Sequence, residues 1–267
     1  MSKKNNWENK SSARERLKAE REREAKKAKV RRQLLAVAGV VVVLGAAAGV
    51  AVAVSNSGGP DAPVVKPANT TGTNGTTVVY GQATAKHTVH LFEDARCPIC
   101  AGFEQQDGAE VLKGADAGQY KLQYTFGTFL DGNNGGTGSM HALSAFGAAL
   151  NVSPKAFIEF HTALYSKANH PDETQDKLSD NAFLFKISDQ VPELKKNAAF
   201  QKNVKDGKFD AWAKKMSDSF NSSGVTGTPT MQLDGTKFEV AGPSFSGTGI
   251  IGVDQLTAGI HKAFGIK

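Results

Sequence analysis

The sequence predicts an α/β protein in which helices cover a mixed sheet, preceded by a single N-terminal transmembrane helix. Three features of the 267-residue chain point there. Short runs rich in β-branched and aromatic residues mark strands at Val78–Tyr80, Thr88–Phe92, Tyr120–Phe126, Thr230–Leu233 and Lys237–Val240. Helical signals occupy 98–113, about 139–220 and 253–264. The resulting order is β, β, α, β, a helical block, β, β, α, and a sheet covered by helices buries the apolar faces of both kinds of element. Ahead of them lies a 21-residue stretch with no charge, residues 34–54.

That stretch reads LLAVAGVVVVLGAAAGVAVAV. At about 1.5 Å rise per residue it spans the roughly 30 Å hydrocarbon core of a bilayer. Residues 1–33 hold 13 Lys/Arg against 5 Asp/Glu, and no base follows the apolar run until Lys66. The positive-inside rule then places the N-terminus in the cytoplasm and the C-terminal bulk outside the cell membrane. The leading basic region and the apolar run are both too long for a cleaved signal peptide, so an uncleaved single-pass anchor is expected. The whole chain carries a formal charge of +6, but the tail alone carries +8 and leaves −2 for the remainder. That argues against a nucleic-acid surface on the folded part. The Gly, Pro, Ser, Thr and Asn of residues 55–76 read as a flexible linker. The expected organisation is a basic cytoplasmic tail (1–33), an anchor (34–54), a linker (55–76) and one domain (77–267).

Within that domain, local chemistry marks the element ends. Pro98 suits the first turn of a helix, where its missing N–H is not needed. Ser139 is placed to cap MHALSAFGAAL, and Ser153-Pro154 to start the next helix. Asp131–Gly138 reads as a Gly/Asn loop. Its GNNGGTGS stretch lacks the lysine of a phosphate-binding loop. Asp234-Gly235 is a strong hairpin turn between the last two strands. Phe183, Phe185, Phe200, Phe209, Trp212 and Phe220 recur at helical spacing and read as core.

The chemistry rests on two cysteines, Cys97 and Cys100, in the sequence CPIC. A bond between positions three apart closes a very small loop, so as a structural staple it removes little chain entropy. As a reversible redox couple it is sensible, because a tight ring is opened readily by exchange. The thiolate is the reactive form, and the unpaired N–H groups at a helix start favour it. Cys97 would sit at that start and Cys100 one turn on, with Cys97 as the attacked thiol and Cys100 resolving. A metal reading competes: His87, His90, Cys97 and Cys100 would offer four zinc ligands. Against it, His87 and His90 are three apart near a strand and would point to opposite faces. The favoured reading needs no cofactor and no metal.

The segment HTVHLFEDARCPICAGFE, with Phe92, Asp94, Cys97, Pro98 and Cys100, resembles the active-site strand and helix of bacterial DsbA-like thiol–disulfide oxidoreductases. A second stretch, FQKNVKDGKFDAWAKKMSDSFNSSGVTGTPTMQLDG, resembles their later helical block and ends in Thr228-Pro229 before a strand. The resemblance covers about residues 77–264. It implies a thioredoxin fold with a helical insertion, about 139–222, and a cis Pro229 packed against the cysteine pair. Thr228 would then offer its backbone to an extended substrate. It also implies exported cysteine-containing proteins as substrates, and a quinone-linked membrane oxidase of the DsbB or VKOR type as the partner that reoxidises the pair. The chain departs from the family in two places. Ile99 stands where the most oxidising members carry His, and Leu91 stands where a buried carboxylate is common. Glu93 and Asp94 would raise the Cys97 pKa if close and Arg96 would lower it, or each is a solvated surface charge. The leading reading is an extracytoplasmic enzyme that introduces disulfides. An extracytoplasmic reductase or isomerase, or a non-enzymatic zinc- or peptide-binding module on the same fold, stays as the alternative.

Overall fold

Alternation along three of the central strands carries the sheet. β1 (Val78–Tyr80), β2 (His87–Asp94), β3 (Tyr120–Gly127), β4 (Thr230–Leu233) and β5 (Thr236–Phe238) line up in the order β1-β3-β2-β4-β5. Val89, Leu91, Leu122, Tyr124, Met231 and Leu233 alternate into the core from β2, β3 and β4. Only β2 and β3 are parallel, with His87 opposite Tyr120 and Asp94 opposite Gly127; the other neighbours are antiparallel. A parallel pair needs a crossover. Here it is α1 (Pro98–Phe103), a π-turn (Glu104–Gly108) and α2 (Ala109–Asp116), where the sequence predicts one continuous helix. The Asp234-Gly235 turn has positive φ at both residues (47° and 84°), the form that suits strand twist. β5 ends at Phe238, short of the expected Val240, whose carbonyl instead accepts from Ile251 N (2.9 Å).

These elements come from a computed structural model that describes residues 63–72, 75–242 and 249–266. All of them belong to one of the two units into which the chain divides, Ser55–Lys267. The expected tail (1–33) and anchor (34–54) lie outside the described residues. Among the described residues no helix is long and apolar enough to cross a membrane.

Between β3 and β4 come α3 (Phe129–Asn134), α4 (Gly138–Val152), α5 (Pro154–Tyr165), α6 (Asn181–Ser188), α7 (Ala198–Lys205) and α8 (Asp210–Ser222). The amphipathic α9 (Val253–Phe264) closes the domain. The insertion builds its core from α4, which is buried on most sides, with Phe146, Phe157, Phe160, Phe200, Phe209 and Trp212. Gly147 is required there, because a Cβ would stand 2.8 Å from the Trp212 ring. Ser153 caps α5 through Ala156 N (2.9 Å), with Pro154 at its first position, as expected.

Three sequence expectations are corrected. The insertion starts at Phe129, because α3 replaces the first part of the expected Asp131–Gly138 loop; buried Leu130 anchors it, and Gly135 and Gly136 (φ 75° and 91°) turn the chain after it. Ser139 does not cap α4. The amides there donate to two carboxylates from outside the helix, Ser139 N and Met140 N to Asp131 and Thr137 N and Gly138 N to Asp176. The linker assigned to 55–76 is too long. Val65 packs on the core, Ala68 N donates to Asn151 Oδ1 (3.1 Å), Asn69 Nδ2 to the Leu150 carbonyl (2.8 Å) and Trp212 Nε1 to the Gly75 carbonyl (2.7 Å). A polar composition reads as linker until such partners are in place.

Candidate active site

The site forms where β2 ends and α1 begins. The chain turns tightly: Cys97 N donates to the Asp94 carbonyl (2.9 Å) and Arg96 N to Asp94 Oδ1 (3.0 Å). Cys97 is the N-cap of α1, in extended backbone, and Pro98 occupies the first turn. The Cys97 sulfur accepts from Cys100 N at 3.4 Å. Both cysteines are free thiols; Cys97 retains 6 % exposure and Cys100 none. Pairing of β2 with β4 sets Phe92 opposite Thr230 and so carries the Thr228-Pro229 loop past the strand end. That peptide bond is cis, as the resemblance implies, and the Cys97 thiol donates to the Thr228 carbonyl at 3.6 Å. Cys97, Cys100 and Thr228 therefore meet, and Pro229 follows Thr228 in the wall of the groove that Ile99 edges.

The two thiols are electrostatically unlike. Cys97 is lowered from 9.0 to about 7, chiefly by a hydrogen bond from the Cys100 thiol. Thr228 and the backbone N–H groups of Cys100 and Ile99 add to this, while burial opposes it. Cys100 is pushed well above its ordinary value, first by burial and then by its donation to Cys97. The helix start thus yields one reactive thiol and one that holds its proton.

Glu93, Asp94 and Arg96 are fully buried, which removes the second of the two alternatives held for them, that they are solvated surface charges. Arg96 spends its guanidinium on the insertion: Nη1 reaches Asp131 (2.9 Å) and the Gly135 carbonyl (2.7 Å), and Nη2 the Glu173 carbonyl (2.6 Å). It is not what lowers Cys97. The Asp94 carboxylate also accepts from Ser139 Oγ (2.6 Å) and Leu130 N (3.2 Å); burial raises its pKa and these donors partly offset that. Glu93 pairs with His161 Nε2 (2.7 Å), and Glu104 lies 4.0 Å from His161 Nδ1. Burial pushes both glutamates up to about 8 and His161 down. Glu104, His161, Asp131 and Asp176 gave no signal in the sequence, and Ser139 gave one only as a helix cap, since the partners that matter are set by the fold.

His87 and His90 do not join the cysteines. His87 Nδ1 pairs with Asp234 (2.7 Å) and His90 Nε2 with Thr125 (2.9 Å), on the two faces that their spacing predicts. Beside the cysteines lies a groove of about 510 Å³ lined by Ile99, Thr228, Pro229, Phe238 and Val240 among others. Ile99 stands 44 % exposed at its edge.

A helix-capping thiol of CxxC, faced by a cis-proline loop at the end of a parallel pair of strands, defines a thioredoxin-fold dithiol protein. A family model described as thioredoxin matches residues 73–245, and the chain belongs to that family. Within it the chain is a DsbA-like thiol–disulfide oxidoreductase. It is similar to the reduced form of the disulfide bond oxidoreductase DsbG of Mycobacterium tuberculosis, with 26 % identity, 71 % of this chain and 87 % of that one covered, and a TM-score of 0.57. Reduced DsbA of Mycobacterium tuberculosis matches equally, with 26 % identity, coverage of 72 % and 93 %, and a TM-score of 0.57. Oxidised BdbD of Bacillus subtilis shares the fold at 20 % identity, with coverage of 75 % and 100 % and a TM-score of 0.57. No curated protein sequence matches the chain.

Proposed function

We propose that the protein introduces disulfides into exported proteins, with Cys97 and Cys100 as its redox pair. The observation that carries this is the asymmetry of the two thiols: Cys97 lowered to about 7 at a helix start beside Thr228, Cys100 buried and raised. In the oxidised enzyme a substrate thiolate attacks Cys97 Sγ. The Cys97–Cys100 bond breaks, and Cys100 leaves and takes up a proton. A second substrate thiolate then attacks the substrate sulfur of the mixed disulfide. Cys97 leaves as thiolate, and a low pKa makes it the better leaving group. The groove beside Ile99 and Thr228-Pro229 takes the extended substrate.

The basic tail and apolar run of 1–54 support a membrane anchor with the domain outside, and hence a membrane oxidase of the DsbB or VKOR type as electron acceptor. One observation favours the reverse direction, reductase or isomerase. A pKa of about 7 matches thioredoxin, whereas the strong oxidant DsbA holds its thiol near about 3.5.

The deciding measurement is the reduction potential of the full chain in detergent, equilibrated with glutathione buffers. A value at or above about −180 mV supports a disulfide donor, and one near about −270 mV supports a reductase. No reversible couple would remove the redox reading altogether.

A further inference from the structure

Where α1 passes into its π-turn, the core holds three ligand-type side chains with spare lone pairs. Glu93 and His161 are fully buried and the Glu104 side chain is 6 % exposed. One ligating atom from each lies within 4.8 Å of the other two. Glu93 Oε1, Glu104 Oε1 and His161 Nδ1 have no conventional hydrogen-bond partner, and the two glutamate side chains lie within hydrogen-bond reach of each other, a contact that needs a proton between them. Buried polar atoms are nearly always paired, and like-charged carboxyls in contact need either a shared proton or a cation between them.

The backbone is adapted to put them there. Glu104 opens the π-turn Glu104–Gly108, an irregularity that recurs at functional sites. At Gly108 a Cβ would stand 2.4 Å from Glu104 Oε2, so the glycine leaves room for the carboxylate. Rings of Tyr124, Phe126, Phe146, Phe157 and Tyr165 surround His161. A helix irregularity, a helical glycine and two buried carboxyls each oppose stability, and a cation between the carboxyls would offset their share of that cost.

We propose that Glu93, Glu104 and His161 bind one divalent transition-metal ion, with zinc the best match to the donor set. Two carboxylates and a neutral imidazole around a dication sum to zero charge, the condition a dry core favours. Zinc accepts this nitrogen and oxygen set at about 2.0–2.2 Å in tetrahedral geometry, so ligand atoms as far apart as 4.8 Å must close by about 1 Å on binding. Calcium and magnesium want more ligands, all oxygen. Binding displaces the protons that the buried carboxyls otherwise hold. The site uses neither cysteine as a ligand, although Glu93 lies within electrostatic range of both.

The test uses the full chain purified without chelator, its Cys97→Ser/Cys100→Ser form and Glu104→Gln. Elemental analysis is expected to find one zinc per chain in the first two and none in Glu104→Gln, with unchanged circular dichroism. Zinc returned to chelator-treated protein is expected to raise Tm by several degrees in the first two and to leave Glu104→Gln unmoved. Cobalt(II) loaded into the unaltered chain is expected to show visible ligand-field bands without thiolate charge transfer. Loss of zinc in the double-serine form, or strong thiolate charge transfer, would put the ion on the cysteines and overturn the proposal. So would the absence of bound metal together with no Tm response to zinc or cobalt. If Glu104→Gln fails to fold, the cobalt spectrum of the unaltered chain still decides.

Discussion

Replacing Cys100 by Ala tests what activates Cys97. The largest effect lowering Cys97 to about 7 is the hydrogen bond from the Cys100 thiol, ahead of Thr228 and the amides of Cys100 and Ile99. A hydrogen bond to a charged group contributes about 1.5–3 kcal/mol, and a thiol is a weak donor, so the lower end applies. At about 1.36 kcal/mol per pKa unit the midpoint should move up by about one unit, from near 7 to near 8. The thiolate fraction at pH 7 then falls from about one half to about one tenth, and the alkylation rate by about fivefold. The assay is the pH profile of iodoacetamide alkylation of Cys97. In the unaltered protein Cys100 stays silent near neutrality because its own pKa is raised. Cys100→Ser, which restores a donor, should return the midpoint to about 7 or below. A midpoint still near 7 in Cys100→Ala would refute the reasoning and assign the thiolate to the helix-start amides instead.

Four further outcomes are expected. Ile99→His, which sets an imidazolium at the exposed position beside Cys97, should lower the Cys97 pKa by about one unit and raise the reduction potential by about 30 mV, read in glutathione buffers. Ser139→Ala removes the 2.6 Å donor to buried Asp94 and should cost about 1–3 kcal/mol in urea denaturation; a neutral result would mean the bond contributes nothing. Gly147→Ala drives a methyl to 2.8 Å from Trp212 and should cost about 1–3 kcal/mol by the same measurement. Burial lowers His90 from 6.5 to about 4, so the unfolded chain binds the proton first as pH falls. Stability contributed by neutral His90 is therefore present above pH 6.5 and lost toward pH 4, by about 1–3 kcal/mol after allowing for partial exposure. His90→Gln should lose less over that window, and an equal loss would clear His90 of the effect.

What the sequence made legible is local in origin. The CPIC pair shows itself by its place between a β-branched strand and a helix start. Asp234-Gly235 marks the last hairpin, and Ser153-Pro154 the start of α5. The rest depends on partners brought from afar. α3 has weak helical chemistry of its own, and its Gly/Asn composition reads as loop; it forms because Leu130 is buried and Asp131 is claimed by Arg96 and by the start of α4. Ser139 looks like a cap from its neighbours and is instead the donor to a carboxylate 45 positions earlier. Glu93, Asp94 and Arg96 look like ordinary surface charges because nothing nearby in the chain shows what neutralises them. Their partners, His161, Ser139 and Asp131, lie 35 to 68 positions away.

Those distant partners share one origin, which bears on how Cys97 is held. Each of the four residues before it is fastened to the insertion. Glu93 pairs with His161, Asp94 accepts from Leu130 N and Ser139, the Ala95 carbonyl accepts from His170 (3.1 Å), and Arg96 reaches Asp131, Gly135 and Glu173. The opposite wall, Thr228-Pro229, is set by β4 on the sheet. Both sides of the nucleophile are registered by the sheet ladder, Asp94 opposite Gly127 and Phe92 opposite Thr230, and the Cys97 side is held in addition by charged and neutral hydrogen bonds to helices. Such bonds have defined lengths and angles, so they transmit displacement better than apolar contacts, which tolerate sliding. The insertion thus braces the strand end that carries Cys97, while the groups that lower the thiol are those of the helix start and Thr228.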